Sequence, residues 1–234
     1  MNQDNSNLYF KTQNEINLKQ SVSQNPTTSI NLNQSTPQVE HDEPGLYHGL
    51  GVISFATATL LLGISNWDGY DNKKLLTIYG FFIGGLGQLI CGILCYKYKY
   101  YIDGTVYFYF ALNWSISTCY DLFPLWGWME PLGKKEWGYQ NLMGCFFTLV
   151  FCLQNLGAPS ILTRISFTTT FLGFVSSTIS GFTGNVEMRK VAGIFNIITA
   201  ALAYYSAFAM TINERYKKIW MPVMDGKKFG LKLD

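Results

Sequence analysis

The chain has 234 residues, a formal net charge of +2 and 48% hydrophobic side chains. So small and scattered a charge excludes a nucleic-acid partner, which would require clustered basic residues interleaved with aromatics. The mean hydropathy of +0.11 averages two unlike regions.

Residues 1–40 contain 8 Asn, 6 Gln, 5 Ser and 4 Thr, with no Gly or Arg. Such a stretch cannot bury enough apolar surface to offset its ordering entropy. We divide the chain into a polar N-terminal extension over 1–45, a membrane domain over 46–213 and a basic tail over 214–234. The extension has neither the charged start nor the apolar centre of a secretory signal. With Asp4, Glu15 and no arginine, it also makes a poor mitochondrial presequence.

Apolar length and flanking residues predict an all-α polytopic membrane protein of six transmembrane helices. The spans run His48–Ile64, Leu75–Tyr96, Gly104–Leu122, Tyr139–Leu156, Ile161–Phe182 and Lys190–Ile212. The second is the clearest. It holds no charged side chain over 22 residues, enough for a helix to cross about 30 Å of hydrocarbon. Gly80, Gly84, Gln88 and Gly92 recur on one stripe with Gly85 beside them, a small-residue pattern that lets helix backbones approach closely. Trp126, Trp128 and Trp137, in the longest connection, suit the membrane interface. The fifth span is the least apolar, diluted by Thr, Ser and Arg164. An even span count puts both termini on one side. The positive-inside comparison differs by about one charge and favours the cytoplasmic or matrix face.

The five cysteines lie in or beside apolar segments. Cys91 and Cys95, four apart on one helix, read as small buried side chains rather than a metal or redox pair. No cofactor or metal site is expected. The chain lacks GxSxG, HExxH and a phosphate-binding loop, and it has only two histidines, His41 and His48. Asp103 and Asp121 stand at opposite ends of the third span and cannot meet. The chain is therefore not expected to be an enzyme.

Three ordered blocks resemble the acetate uptake transporter family. FFIGGLGQLICGILCYK, in the second span, is similar to the family pattern FxxGGxxQxxxGxxEyk. The junction of the last two spans, TGNVEMRKVAGIFNIITAALAYYSAFA, resembles the family's GN-then-AG stretch. NERYKKIWMP, Asn213–Pro222, follows its NExxgrxxlP ending. The resemblance implies a six-helix protomer, commonly a ring of six, with a narrow pore through each protomer for acetate and similar monocarboxylates. Such a pore needs donors for a carboxylate and apolar walls for a methyl group.

The departures from the family pattern are specific. Its NPxPLGL signature is represented by Leu46–Val52, where Leu50 and Gly51 match but the Asn and both prolines are gone. Loss of the prolines restores backbone N–H groups at the pore mouth. The family's Glu position is Cys95, its following turn is Lys99–Asp103, and its aromatic FW pair is Asn113-Trp114.

Candidate pore-lining residues are Gln88, Asn113, Asn185, His48 and Phe55, and the candidate helix-packing residues are Gly80, Gly84, Gly85 and Gly92. Each polar candidate has a structural alternative. Gln88 and Asn113 could serve as interhelical hydrogen-bonding groups, His48 as an interfacial residue and Asn185 as a helix cap. Arg164 suits a headgroup anchor, and Glu187, Arg189 and Lys190 a solvated turn.

Two functions follow. The favoured one is a scaffold of this family reused as an accessory subunit, held partly by residues 1–45 in a larger membrane complex. A complex of the mitochondrial inner membrane is the leading host. The alternative is a working acetate or small-monocarboxylate channel in the plasma membrane, assembled as a homohexamer. In either case the immediate partner is the lipid bilayer.

Overall fold

In the computed structural model of the chain, the described residues are 45–68, 74–157, 160–216 and 218–222. The polar extension, apart from Gly45, and most of the basic tail lie outside them. Six long helices make up the described chain: α1 (Gly45–Asp68), α2 (Lys74–Lys97), α3 (Tyr101–Leu122), α4 (Lys134–Gln154), α5 (Ile161–Thr183) and α6 (Val186–Tyr216). No strand pairs with another among the described residues. By length and hydropathy alone, α1 from His48, α2 and α6 are each apolar enough to cross a membrane.

α5 dilutes its apolar character with hydroxyls but satisfies them internally. Thr168, Thr169, Thr170, Ser176, Thr178 and Thr183 all donate to carbonyls one turn back. A hydroxyl bonded this way adds no unpaired group to an apolar interior. The helix ends follow local chemistry. Ser160 Oγ accepts the Thr163 N–H at the start of α5, and Gly184, at φ +70°, closes its end. α6 starts earlier than the sequence predicts because Asn185 Oδ1 accepts the N–H groups of Glu187 (2.9 Å) and Met188 (3.3 Å).

α2 changes pitch. Gly80–Gly87 winds as a π-helix between two α-helical segments, an insertion frequent at functional sites. The glycines set its packing distance. A β-carbon on Gly84 would fall 2.7 Å from Trp114, one on Gly85 2.8 Å from Ser115 Oγ, and one on Gly92 3.0 Å from Phe108. α2 therefore lies backbone-close to α3, as small residues allow.

Helix neighbours run in the order α3, α2, α1, α6, α5, α4. α4 meets α3 mainly through side chains and closes the ring. Tyr109 and Phe147 stack with centroids 3.3 Å apart, and Gln140 Nε2 donates to Ser117 Oγ at 2.8 Å. A ring of six helices encloses an axis, and that arrangement positions the site.

After α6 the chain folds back. Asn213 Oδ1 accepts the N–H groups of Trp220 and Met221, its Nδ2 donates to the Met221 carbonyl, and Tyr205 donates to the Pro222 carbonyl. The Asn and Pro of the closing motif thus form a clasp on α6.

Candidate functional site

A cavity of about 390 Å³ occupies the axis of the ring, and all six helices contribute to its wall. It opens at the end holding the α1–α2, α3–α4 and α5–α6 connections. Asp121, Lys134 and Arg189 stand there, on the ends of α3, α4 and α6. These are the charged residues of the wall among the described residues, and with two cations against one carboxylate they favour an entering anion. Thr77 Oγ1 donates to Asp121 Oδ2 at 2.9 Å and ties the carboxylate to α2.

Deeper in, the wall is uncharged. Asn113, Trp114, Ser117 and Thr118 from α3 face Gln140 from α4, with Thr170 from α5 and Asn196 from α6. Asn196 is 7% exposed. Phe55, Phe110 and Phe174 line the apolar part, with the Phe55 and Phe110 centroids 4.8 Å apart. Phe110 packs with Ala58 and Trp114 in a core that Phe147 and Phe174 extend. A polar vestibule bounded by phenylalanines can admit a small amphiphilic solute and strip water from it.

The sequence candidates separate on this geometry. Asn113 and Phe55 line the cavity, as does Gly80, which also faces Trp114. Gln88 does not. It is 0% exposed, and neither atom of its amide has a partner. Of the small-residue stripe that carries it, Gly80 borders the cavity while Gly84 and Gly92 lie in helix contacts. His48 sits at the other end of the bundle, its Nε2 4.0 Å from Asp103 Oδ1 and its carbonyl accepting the Tyr107 hydroxyl at 3.1 Å. Asn185 caps α6 from an exposed position. Gly84, Gly85 and Gly92 lie in packing contacts. Among the described residues, no three His, Cys, Asp or Glu side chains converge as metal ligands.

Several wall residues escape a motif-based reading. Trp137, which suits the interface by sequence, lines the mouth, and so does Arg189 from the turn that reads as merely solvated. Gln140 falls in none of the motifs, and Trp114 and Asn196 fall within motif stretches without being singled out as candidates. A periodic signal was present: Asn113, Ser117 and Asp121 repeat every fourth residue along α3, and Thr170, Gly173, Ser177 and Ser180 keep a similar period on α5. A polar stripe within an otherwise apolar helix marks the face turned to an aqueous interior.

The profile of the GPR1/FUN34/yaaH family matches residues 30–225. The chain belongs to this family. The "Succinate-acetate/proton symporter SatP" of Escherichia coli (strain K12) is 27% identical over 175 residues, covering 74% of this chain and 92% of that protein. The "Ammonia transport outward protein 2" of Saccharomyces cerevisiae is 29% identical over 169 residues, covering 68% of this chain and 59% of that protein. In fold, the chain is similar to the solved structure of the bacterial acetate channel SatP. The TM-score is 0.73 at 23% identity, over 75% of this chain and 97% of the other.

These findings establish an integral, multi-pass, all-α membrane protein of this family. The relatives are named for transport, which favours the conducting alternative over the accessory-subunit reading. Neither a host complex nor a mitochondrial membrane finds support in them.

Proposed function

We propose that this protein conducts a small monocarboxylate of the acetate class across a membrane, with the axial cavity as the wide half of its conduit. The supporting observation is that all six helices give polar side chains or small residues to one cavity with cations at its mouth and phenylalanines in its depth. A scaffold kept only for packing has no need of such a space, and the interior would fill with side chains. The names of the relatives point the same way. On this reading all six helices cross the bilayer, with α5 inserted through its internally bonded hydroxyls, and protomers assemble as a homohexamer.

Reconstituted protein in liposomes, supplied with labelled acetate against an empty-liposome control, tests the proposal. Protein-dependent uptake that falls several-fold when Ser117 is replaced by Phe, which narrows the polar wall, is the expected result. Folded protein with no uptake above the control would refute conduction.

A further inference from the structure

Asn196 stands in the deep, uncharged part of the cavity wall, on the side of α6 that meets α5. The residue is more than nine-tenths buried, yet its side chain forms no hydrogen bond to any other described residue. Two other orphaned groups of the wall, Trp114 Nε1 and Gln140 Oε1, are sealed off, each with less than 1 Å² accessible. The Asn196 amide is not sealed in this way, so its polar atoms meet the free space of the cavity. The facing helix keeps room for them. Gly173 stands opposite on α5, where a β-carbon would fall 2.8 Å from Asn196 Oδ1. Close by, Thr199 Oγ1 donates to Thr169 Oγ1 at 2.7 Å and ties α6 to α5.

An amide held like this is costly unless something pairs with it, because a buried polar group gives up hydration and gains no protein partner in return. In a wall built only for packing, a leucine of similar size would serve better. The neighbouring polar groups show what the amide adds. The hydroxyls of Ser117, Thr118 and Thr170 give their hydrogens to the carbonyls of Asn113, Thr77 and Ser166, so toward a guest they can only accept. A guest whose polar end bears oxygen acceptors needs donors, and the Asn196 Nδ2 group keeps both of its hydrogens free. Asn113 keeps its amide free too, but it is only half-buried, and holding it unpaired costs less. We propose that Asn196 is a specificity-determining residue of the deep cavity: its Nδ2 N–H groups donate to an oxygen of the guest's carboxyl group, in the space that Gly173 leaves open. This rests on the monocarboxylate reading of the same cavity and names the side chain that receives the carboxyl end.

The test is a saturation-transfer difference NMR titration of acetate and of propionate on the full-length protein in lipid nanodiscs, for the native chain and for Asn196→Leu and Asn196→Ala. Leucine fills the place of the amide and alanine empties it, so an effect of volume alone would drive the two variants apart. Loss of a hydrogen bond should instead weaken acetate about 2- to 10-fold in both. Propionate should weaken by the same factor, because the amide acts on the carboxyl end that the two guests share. The thermal midpoint of Asn196→Leu should hold or rise, since the amide has no protein partner to lose. Acetate binding unchanged in both variants would mean that water alone serves the amide, and would overturn the proposal. So would a loss in Asn196→Leu that is larger for propionate, the mark of simple obstruction, or a midpoint lowered by several degrees, the mark of a structural role. If one variant does not fold, the other decides. Acetate uptake by liposomes carrying the native protein, together with variants that bind as the native chain does, would sink this inference and leave conduction standing. Absent uptake with the binding loss intact would sink conduction and leave the role of Asn196.

Discussion

Replacing Gly84 with Ala perturbs the wall of the axial cavity from behind. The new β-carbon would lie 2.7 Å from Trp114 Cγ and 2.9 Å from both Trp114 Cδ1 and Ala58 Cβ. Ordinary contact begins near 3.4 Å, so the indole must retreat by at least 0.7 Å, the difference between 3.4 and 2.7. Ala58 is completely buried in the same core and offers no flexible side chain to give way. Overpacking of this kind costs about 1–3 kcal/mol. At about 2–4 °C per kcal/mol for a domain of this size, the thermal midpoint in detergent should fall by about 2–12 °C. Combining Gly84→Ala with Trp114→Leu removes the clashing ring, so the two losses should fall short of additive by about 0.5 kcal/mol or more. Because Trp114 lines the cavity opposite Gly84, acetate uptake per folded protein should fall as well. An unchanged midpoint, or strictly additive losses, would refute the packing argument.

Three further perturbations separate the parts of the site. Phe55→Ala removes a ring 4.8 Å from Phe110 and should raise uptake of bulkier monocarboxylates relative to acetate by several-fold, read in competition assays. Lys134→Gln combined with Arg189→Gln removes both cations from the mouth. Acetate uptake should slow by about tenfold at low ionic strength, with the difference fading as salt screens the field. Asn185→Ala deletes the two cap bonds of α6 and should cost about 1 kcal/mol in thermal unfolding while leaving flux per folded protein unchanged, because the residue does not line the cavity.

The helices were legible because hydrocarbon thickness dictates a length, and each predicted span lies within a few residues of an observed helix. The ends were less so. α6 begins at Val186 rather than Lys190 because a side-chain cap, invisible to hydropathy, satisfies its first amides. The site was legible only in part. Asn113 and Phe55 reach the cavity, but polarity alone does not say whether a side chain turns toward the axis or into a helix contact. Gln88, on a stripe whose glycines pack closely against neighbouring helices, is completely buried and is not among the residues lining the cavity. Gln140 and Asn196 matter because α4 and α6 turn them toward α3, a convergence created by the ring and absent from any one segment.

Location also explains why the eroded signature misleads. Leu46–Val52 forms the first turns of α1, Cys95 lies near the end of α2, and Lys99–Asp103 spans the turn into α3. All three stand at the end of the bundle where His48 meets Asp103. The cavity opens at the opposite end, among the α1–α2, α3–α4 and α5–α6 connections. Rewriting one end of a ring leaves the other to its own chemistry, and the departure that does fall in the cavity, Asn113 in place of an aromatic, adds polarity instead of sealing it. The lost prolines likewise leave α1 an unbroken helix from Gly45 to Asp68, which alters how the far end is framed while its Phe55 and Thr59 still face the axis. The substitutions that suggested a retired scaffold thus fit a conduit with a different exit and a more polar interior.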